Sequence, residues 1–538
     1  MKTTILNCSK IIVAILTLAI FAGCRKPTAD LEYEVNTSQL YKAPTLLHFV
    51  NANPDSPTDL PASFNVEISG KDAALVVTNT GTRSFKVVEG FLPLALLPSS
   101  SPSETNPIIF NIYAEISGYA PITQSFIITN DDPTPHEIAV TEYAHPPKGT
   151  SVLIKSSTIA NGVAGNDITL NTSTNADMSE ASSIKITSGT EMRDADSNII
   201  HDNTLTSRII HYGTQHKDAL NAFPGGFAPI IEGIANPTFV TSGLMAIRMN
   251  VGNKQVKRFS QPITVTMEVS NYQKNPANAN VQPGDTIPVW SMDEKTGIWK
   301  REGPAMFTQN TSGKLQLQFQ MTHLSLWNFD WWVTPCGATL RVNVKTPSWP
   351  DYRQRCKIEL ATPLLEHVMG YTYDVVYNGY SNSVPRVPNI PLAKFMVLSM
   401  GGSKLGESAP FNPCTKGSAE VIINPTTFPI ITINLKVRAV CTNRNAAANF
   451  SDWVSIRKTT ESYYTYVYVK DGNTSLQLEN NKDYVVKAYY DGVLYTATGR
   501  FAAGNNPFAS SNGFSGQTTY DAASKILNAD FSYNVNCK

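Results

Sequence analysis

Polar and apolar residues take turns along this chain in short runs. The clearest lies between positions 315 and 322, where Leu315, Leu317, Phe319 and Met321 alternate with Gln316, Gln318, Gln320 and Thr322. A period of two is the signature of a strand with one buried face. His323 and Ser325 continue the apolar phase, so both side chains are expected to point inward and to bond each other or the backbone beneath Trp327. The run sits inside the stretch from Gly284 to Trp332, which holds five of the seven tryptophans: Trp290, Trp299, Trp327, Trp331 and Trp332.

Similar short runs, divided by Pro and Gly, fill the rest. Between positions 41 and 147 strands are expected at 46–51, 64–69, 74–79, 84–88, 108–116 and 122–129, a spacing that suits a small antiparallel sandwich. Ala144-His145-Pro146-Pro147-Lys148-Gly149 then makes a stiff exit, since proline limits hinge freedom. From position 151 to 334 strands are expected at 151–156, around Ile184 and Ile186, at 243–250 and at 263–269, before the tryptophan-rich close. Asp293 to Gly297 reads as a hairpin turn that sets Trp290 and Trp299 on facing strands, where such aromatic pairs add about 0.2–1 kcal/mol. Two later stretches look like a diverged repeat: 339–344 against 433–440, and 389–398 against 478–487. The expected architecture is therefore all-β, with tandem Ig-like sandwiches standing in a row.

Composition agrees and narrows the function. Charged residues are 16% of the 538, below the roughly 25% usual in soluble domains. Lys plus Arg equals Asp plus Glu at 43 each, so no basic surface points to nucleic acid. The first residues form a targeting segment: Lys2 and Lys10, an apolar run from Ile11 to Ala22 too short to span a bilayer, then Phe21-Ala22-Gly23-Cys24. Cys336, Cys356, Cys414, Cys441 and Cys537 follow much later, an odd number that leaves at least one unpaired.

Small residues before Cys24 resemble the lipobox of bacterial lipoproteins. The resemblance implies removal of residues 1–23, acylation of Cys24, a lipidated tether over 24–40, and a partner that is the membrane itself, at the outer membrane or cell surface. Pro-Val-Trp-Ser-Met-Asp-Glu-Lys-Thr-Gly-Ile-Trp-Lys-Arg-Glu-Gly (288–303), with Phe-Pro-Gly-Gly (223–226) and Phe-Ser-Gln-Pro-Ile (259–263), resembles a module of exported Bacteroidota proteins. It is also similar to the extracellular module of cartilage intermediate layer protein and the astroprincin family. That implies an extracellular β module without catalytic residues. The second copy of the repeat, with Asp471-Gly472-Asn473 and Tyr490-Asp491-Gly492, resembles the transthyretin-like fold of carboxypeptidase regulatory domains. The resulting division is a β-sandwich over 41–148, a Trp-rich β module over 149–335, and transthyretin-like sandwiches over 336–429 and 430–538.

Two chemistries compete with a purely structural reading. Thr322-His323-Leu324-Ser325 resembles the His-Leu-Ser/Thr tripeptide of self-cleaving adhesion-receptor domains. There the His, here His323, is the base, and the hydroxyl, here Ser325, attacks the preceding carbonyl; the acyl shift needs a strained peptide. Trp290, Trp299 and Trp327 could instead form a glycan-binding platform, although large aromatics in sheets are usually core. Other sets fail. Asp194-Ala195-Asp196-Ser197-Asn198 lacks the sixth-position Gly and twelfth-position Glu of a helical calcium loop and fits an Asx-rich turn. His211 and His216 are spaced poorly for one face, and no Gly-x-Ser-x-Gly, phosphate loop or His-x-x-Glu motif is present. Asp285-Thr286-Ile287 resembles a Bacteroidota O-glycosylation acceptor. The expectation is a non-enzymatic envelope protein with no metal or cofactor, whose ligand is a glycan or a protein.

Overall fold

The computed structural model describes residues 33–36, 40–337, 339–350, 352–363, 368–384, 387–399, 403–424, 430–449, 451–461, 464–490, 493–502, 506–511, 514–523 and 526–536. The signal segment, Cys24, His367 and Cys537 lie outside them. The described chain is all-β, with one short α-helix, Lys217–Asn221, and a 3₁₀ turn, Ala73–Leu75.

The first sandwich packs two sheets. One has the order Thr134–Val140, Lys42–Asn51, Phe91–Leu96, Lys86–Val88, Ser63–Asn65, and Val76–Thr78 also pairs with Phe91–Leu96. The other sets Ile108–Ala114 between Glu67–Ser69 and Ile122–Ile128. Phe91–Leu96 and Thr134–Val140 were not among the expected strands. Phe91–Leu96 is buried at every position and carries Pro93, so it shows neither alternation nor the usual strand composition.

The tryptophan-rich module is one 13-stranded sheet. It runs from Thr150–Thr158 through Thr204–Tyr212, Thr238–Val251, Leu326–Val333, Thr286–Met292, Ile298–Gln309, Leu315–His323, Arg258–Glu268 and Ser182–Ile186 to Ile168–Asn171. A bridge between Val152 and Ser173 and a hydroxyl bond of 2.8 Å between Ser151 and Thr172 bring the last strand back to the first. The sheet is thus rolled around a core that includes Ile184, Met245, Phe307, Leu317, Phe319, Trp327 and Phe329. The alternation of Leu315–His323 does what period two requires: Leu315, Leu317, Phe319 and Met321 enter this core.

The third sandwich sets Leu340–Lys345 between Tyr380–Val384 and Ser418–Ile422, facing a sheet of Val368–Tyr377, Arg353–Ala361, Lys394–Ser399 and Lys404–Glu407. The fourth is built on Ile430–Cys441, Ile526–Val535 and Lys482–Tyr490. The sandwiches share a topology: the opening strand pairs in parallel with the closing one, Lys42–Asn51 with Thr134–Val140, Leu340–Lys345 with Ser418–Ile422, and Ile430–Cys441 with Ile526–Val535. Cys336 and Cys414 form a disulfide that ties the entry of the third sandwich to the segment before its last strand. Cys441 is also disulfide-bonded, and Cys356 is a buried free thiol.

The tandem modules do more than stand in a row: they pack on one another. The first sandwich touches all three others. Against the fourth it packs Leu46 and Phe91 on Trp453 and Tyr466, sets the His48 ring 5.5 Å from that of Tyr466, and pairs Glu89 with Lys487 at 3.2 Å. Against the third, Arg355 Nη2 donates to the Pro133 carbonyl at 2.7 Å. Third and fourth meet through Gln354 and Gln477 at 3.0 Å, while Val240 and Val333 of the rolled sheet pack on the core of the third. Within the segment read as a tether, Tyr33–Asn36 forms a strand that pairs in parallel with Ala446–Asn449 of the fourth sandwich.

Candidate functional site

The Asp293–Gly297 turn with Trp290 and Trp299, and the Phe-Pro-Gly-Gly turn, converge on the seat between the first sandwich and the rolled sheet. The hairpin of Thr286–Met292 and Ile298–Gln309 turns at Asp293–Gly297. Asp293 Oδ1 accepts the Lys295 and Thr296 amides at 2.9 and 3.2 Å, and the Gly297 amide donates to the Asp293 carbonyl at 2.8 Å. That folds the tip so that its own carbonyls face outward, towards the first sandwich.

There they are met by donors from the three strands of one sheet, Glu67–Ser69, Ile108–Ala114 and Ile122–Ile128. Asn111, fully buried, donates Nδ2 to the Glu294 and Lys295 carbonyls at 3.2 and 3.1 Å. Thr123 Oγ1 donates to Glu294 O at 2.9 Å, Ser69 Oγ to Lys295 O, and the single Ser125 hydroxyl proton is shared between Asn111 Oδ1 at 3.1 Å and Gly297 O at 3.4 Å. Buried backbone carbonyls demand such partners. Gly297 has φ +71°, and a Cβ there would collide with Ser125 Oγ and Asn111, whose Cγ would lie at 2.8 Å. Asn111, Thr123 and Ser125 carry no signal in sequence, because isolated polar residues on strands are ordinary.

The Phe-Pro-Gly-Gly turn lands on the same seat. The Gly225 amide donates to Thr123 O at 2.9 Å, and a Cβ on Gly225 would press on Met292 and Trp299 at 3.0–3.2 Å. Phe223 lies 5.7 Å from Tyr212, whose hydroxyl donates to Thr141 Oγ1 at 3.0 Å across the junction. Below, Phe239 is held between Trp290 at 5.5 Å and Trp299 at 5.3 Å, in a cluster that takes in Ala52, Ala120 and Tyr143 of the first sandwich. A cavity of about 50 Å³ remains, lined by Ala120, Thr123, Ala139, Tyr212 and Phe223. It has room for water and is far below the roughly 300 Å³ of a small-molecule site.

Charge closes the rim. Arg248 pairs with the Glu115 carboxylate and lies 3.8 Å from Glu294. Burial raises the Glu294 carboxyl above its usual range. Burial pushes Glu115 the same way, but hydrogen bonds from Tyr113 and Arg248 hold it below that range.

The candidate chemistry is drawn into packing and turns. Trp290, Trp299 and Trp327 are each 2% exposed, so no ring face is open for a sugar to stack on; burying them in the sheet fills the core that their area favours. His323 and Ser325 do not bond each other in this structure. Ser325 Oγ donates to the Met292 carbonyl, while His323 Nε2 lies 3.6 Å from Glu302 and its ring 5.0 Å from Trp327. The chain crosses between strands there, with Leu324 N bonded to Lys257 O at 2.9 Å, and none of the three residues adopts a positive φ. Asp194 Oδ1 accepts the Asp196 and Asn198 amides at 3.0 and 2.9 Å, an Asx turn. His211 is buried, which lowers its pKa to about 3, and His216 Nδ1 instead accepts the Asp218 amide at 3.2 Å at the start of the short helix. Among the described residues no group of three or more His, Cys, Asp or Glu is placed to hold a metal.

One buried acid was not anticipated. Asp330 is fully buried; Asn328 Nδ2 donates to Oδ2, and Oδ1 has no partner. Burial raises its pKa well above the usual carboxylate value. The folded chain therefore keeps a proton that the unfolded chain releases, so this group's contribution to stability is lost as pH rises from the carboxylate range towards the folded pKa. Asp330→Asn is expected to stabilise the rolled sheet by about 1–3 kcal/mol above neutral pH, the usual magnitude for an unsatisfied buried group. The gain should shrink to nothing below the ordinary carboxylate pKa. Urea melts of both proteins across pH check this; a gain independent of pH would assign it to packing.

No protein-family model matches the chain. No curated protein matches it either. Among solved structures, the minor pilin of Streptococcus agalactiae is 6% identical, covering 38% of this chain and 98% of its own, at a TM-score of 0.14. The open pilus adhesin SpaC of Lactobacillus rhamnosus GG is 9% identical, covering 73% and 57%, at 0.16. The full-length major pilin of Streptococcus pneumoniae is 8% identical, covering 91% and 100%, at 0.13. Scores this low leave this chain's arrangement and function to its own geometry.

Proposed function

We propose that this chain is a lipid-anchored, non-enzymatic protein of the bacterial cell envelope, held at the outer membrane or cell surface through Cys24, and that it works by presenting surfaces to a protein or glycan in adhesion or envelope organisation. One observation carries the reading: the residue sets that could have been catalytic or ligand-binding are tied into packing and into the seat that locks two modules together. The Phe21-Ala22-Gly23-Cys24 sequence supports the anchor. A chain processed this way incorporates an alkyne-palmitate label in its bacterial host and partitions into detergent, and Cys24→Ser loses both. Label retained in the Cys24→Ser chain, or a hydrolytic activity that co-purifies with the ectodomain through successive columns, contradicts the reading.

Self-processing at Leu324-Ser325 is the second reading, favoured by the carboxylate of Glu302 beside His323. It needs the Ser325 proton to reach a base, whereas the hydroxyl donates to the Met292 carbonyl. The expected result is one intact chain on a denaturing gel, with Ser325→Ala running identically. Two bands in the wild type that merge in Ser325→Ala would establish cleavage instead.

A further inference from the structure

The strand Tyr33–Asn36 lies on the edge of the fourth sandwich. It lies in the segment read as a tether, just ahead of the first sandwich, yet its register is Tyr33 with Ala446, Glu34 with Ala447, Val35 with Ala448 and Asn36 with Asn449 of the fourth. The strand it covers, Ala-Ala-Ala-Asn, carries no charge or proline. Exposed edges are ordinarily protected by such residues or by bulges, so an alanine edge is one suited to being covered. Its other side pairs with Arg438, Ala439 and Val440 of the Ile430–Cys441 strand, the same edge of that strand that takes Asn473–Glu479 further along.

Resting on the anchor reading above, we infer that the Tyr33–Asn36 pairing fixes the fourth sandwich as the membrane-proximal module, with its Ala446–Asn449 edge facing the lipid surface. Only nine Cα steps separate Cys24 from Tyr33, which extend to at most about 30 Å. Without the pairing, the leash from Cys24 would run 18 steps to Lys42, about 60 Å, and would hold only the first sandwich. The strand therefore halves the reach of the anchor and transfers it to another module. The tip at Asn310–Gly313 lies on the far end of the 12-residue strand Ile298–Gln309 from the docked Asp293–Gly297 turn, at the end of the rolled sheet from which Val333 leads into the third sandwich.

The test uses the mature acylated chain on phosphatidylethanolamine–phosphatidylglycerol vesicles, with a donor dye at Ser475→Cys or at Ser312→Cys, both exposed, and an acceptor on the lipid headgroups. Cys356 is buried and does not compete for dye. Energy transfer from position 475 is expected to fall several-fold when Tyr33, Glu34, Val35 and Asn36 are replaced by glycine and serine, and to fall more than transfer from position 312 on the rolled sheet. Transfer at 475 indifferent to that replacement, or an equal change at the two positions, overturns the inference while leaving the anchor intact. A chain that does not sediment with vesicles, or does so equally as Cys24→Ser, overturns the anchor reading itself.

Discussion

Trp290→Ala is expected to lower the stability of the rolled sheet by about 3–5 kcal/mol, the usual range for removing a buried large aromatic, seen as a lower urea midpoint. The indole fills the space beside Phe239, whose other side meets Trp299 nearly at right angles, and its Nε1 donates to the Asp330 carbonyl at 3.0 Å. Truncation opens a cavity and leaves a carbonyl short of one donor. Because the cluster runs on into Ala52, Ala120 and Tyr143, loosening it should also weaken the hold of the first sandwich. Trp332, 38% exposed on the neighbouring strand, provides the comparison: Trp332→Ala should cost far less. Equal losses at the two positions would mean that burial in this cluster does not set the module's stability.

That difference shows what sequence could and could not convey. Alternation placed Leu315–His323 correctly because one face of that strand is core and the other is solvent. The Asp293–Gly297 turn was legible too, since an Asx oxygen and a glycine of positive φ are local requirements. The use of that turn was not. Its carbonyls are satisfied by Asn111, Thr123 and Ser125, more than 170 positions away, and nothing in a lone Asn on a strand says which carbonyl it will meet. The tryptophans illustrate the same limit from the other side: their type announces a large apolar surface, while only the fold decides whether it is buried or offered to a ligand.

Closure of the modules was also hidden, for a physical reason. The stiff segment from Ala144 to Gly149 announced limited hinge freedom but not which surfaces would meet; a stiff connection suits a fixed contact, because it lowers the entropy lost on docking. The first sandwich exploits this with one edge against the fourth sandwich, through His48, Phe91 and Glu89, and another face against the hairpin tip. Burial drives the His48 pKa down to about 3, with Lys487 pushing the same way. That interface therefore holds a neutral imidazole and is weakened as pH falls through the range where a free imidazole takes up its proton.

The docked tip makes the sharpest demand on a single residue. Gly297→Val is expected to destabilise the seat by roughly 2–5 kcal/mol, combining a left-handed backbone for a branched residue with displacement of the buried Asn111 amide from its partners. Gly313→Val separates the two contributions. Gly313 has φ +80° but open space around its Cβ position, with only Gln309 Nε2 at 3.8 Å, so it pays for backbone conformation alone. If the tip holds the modules together, trypsin should cut after Lys148, in the connection between them, faster in Gly297→Val and at the wild-type rate in Gly313→Val. Matching rates in the two variants would mean that the hairpin tip rests on the first sandwich without securing it.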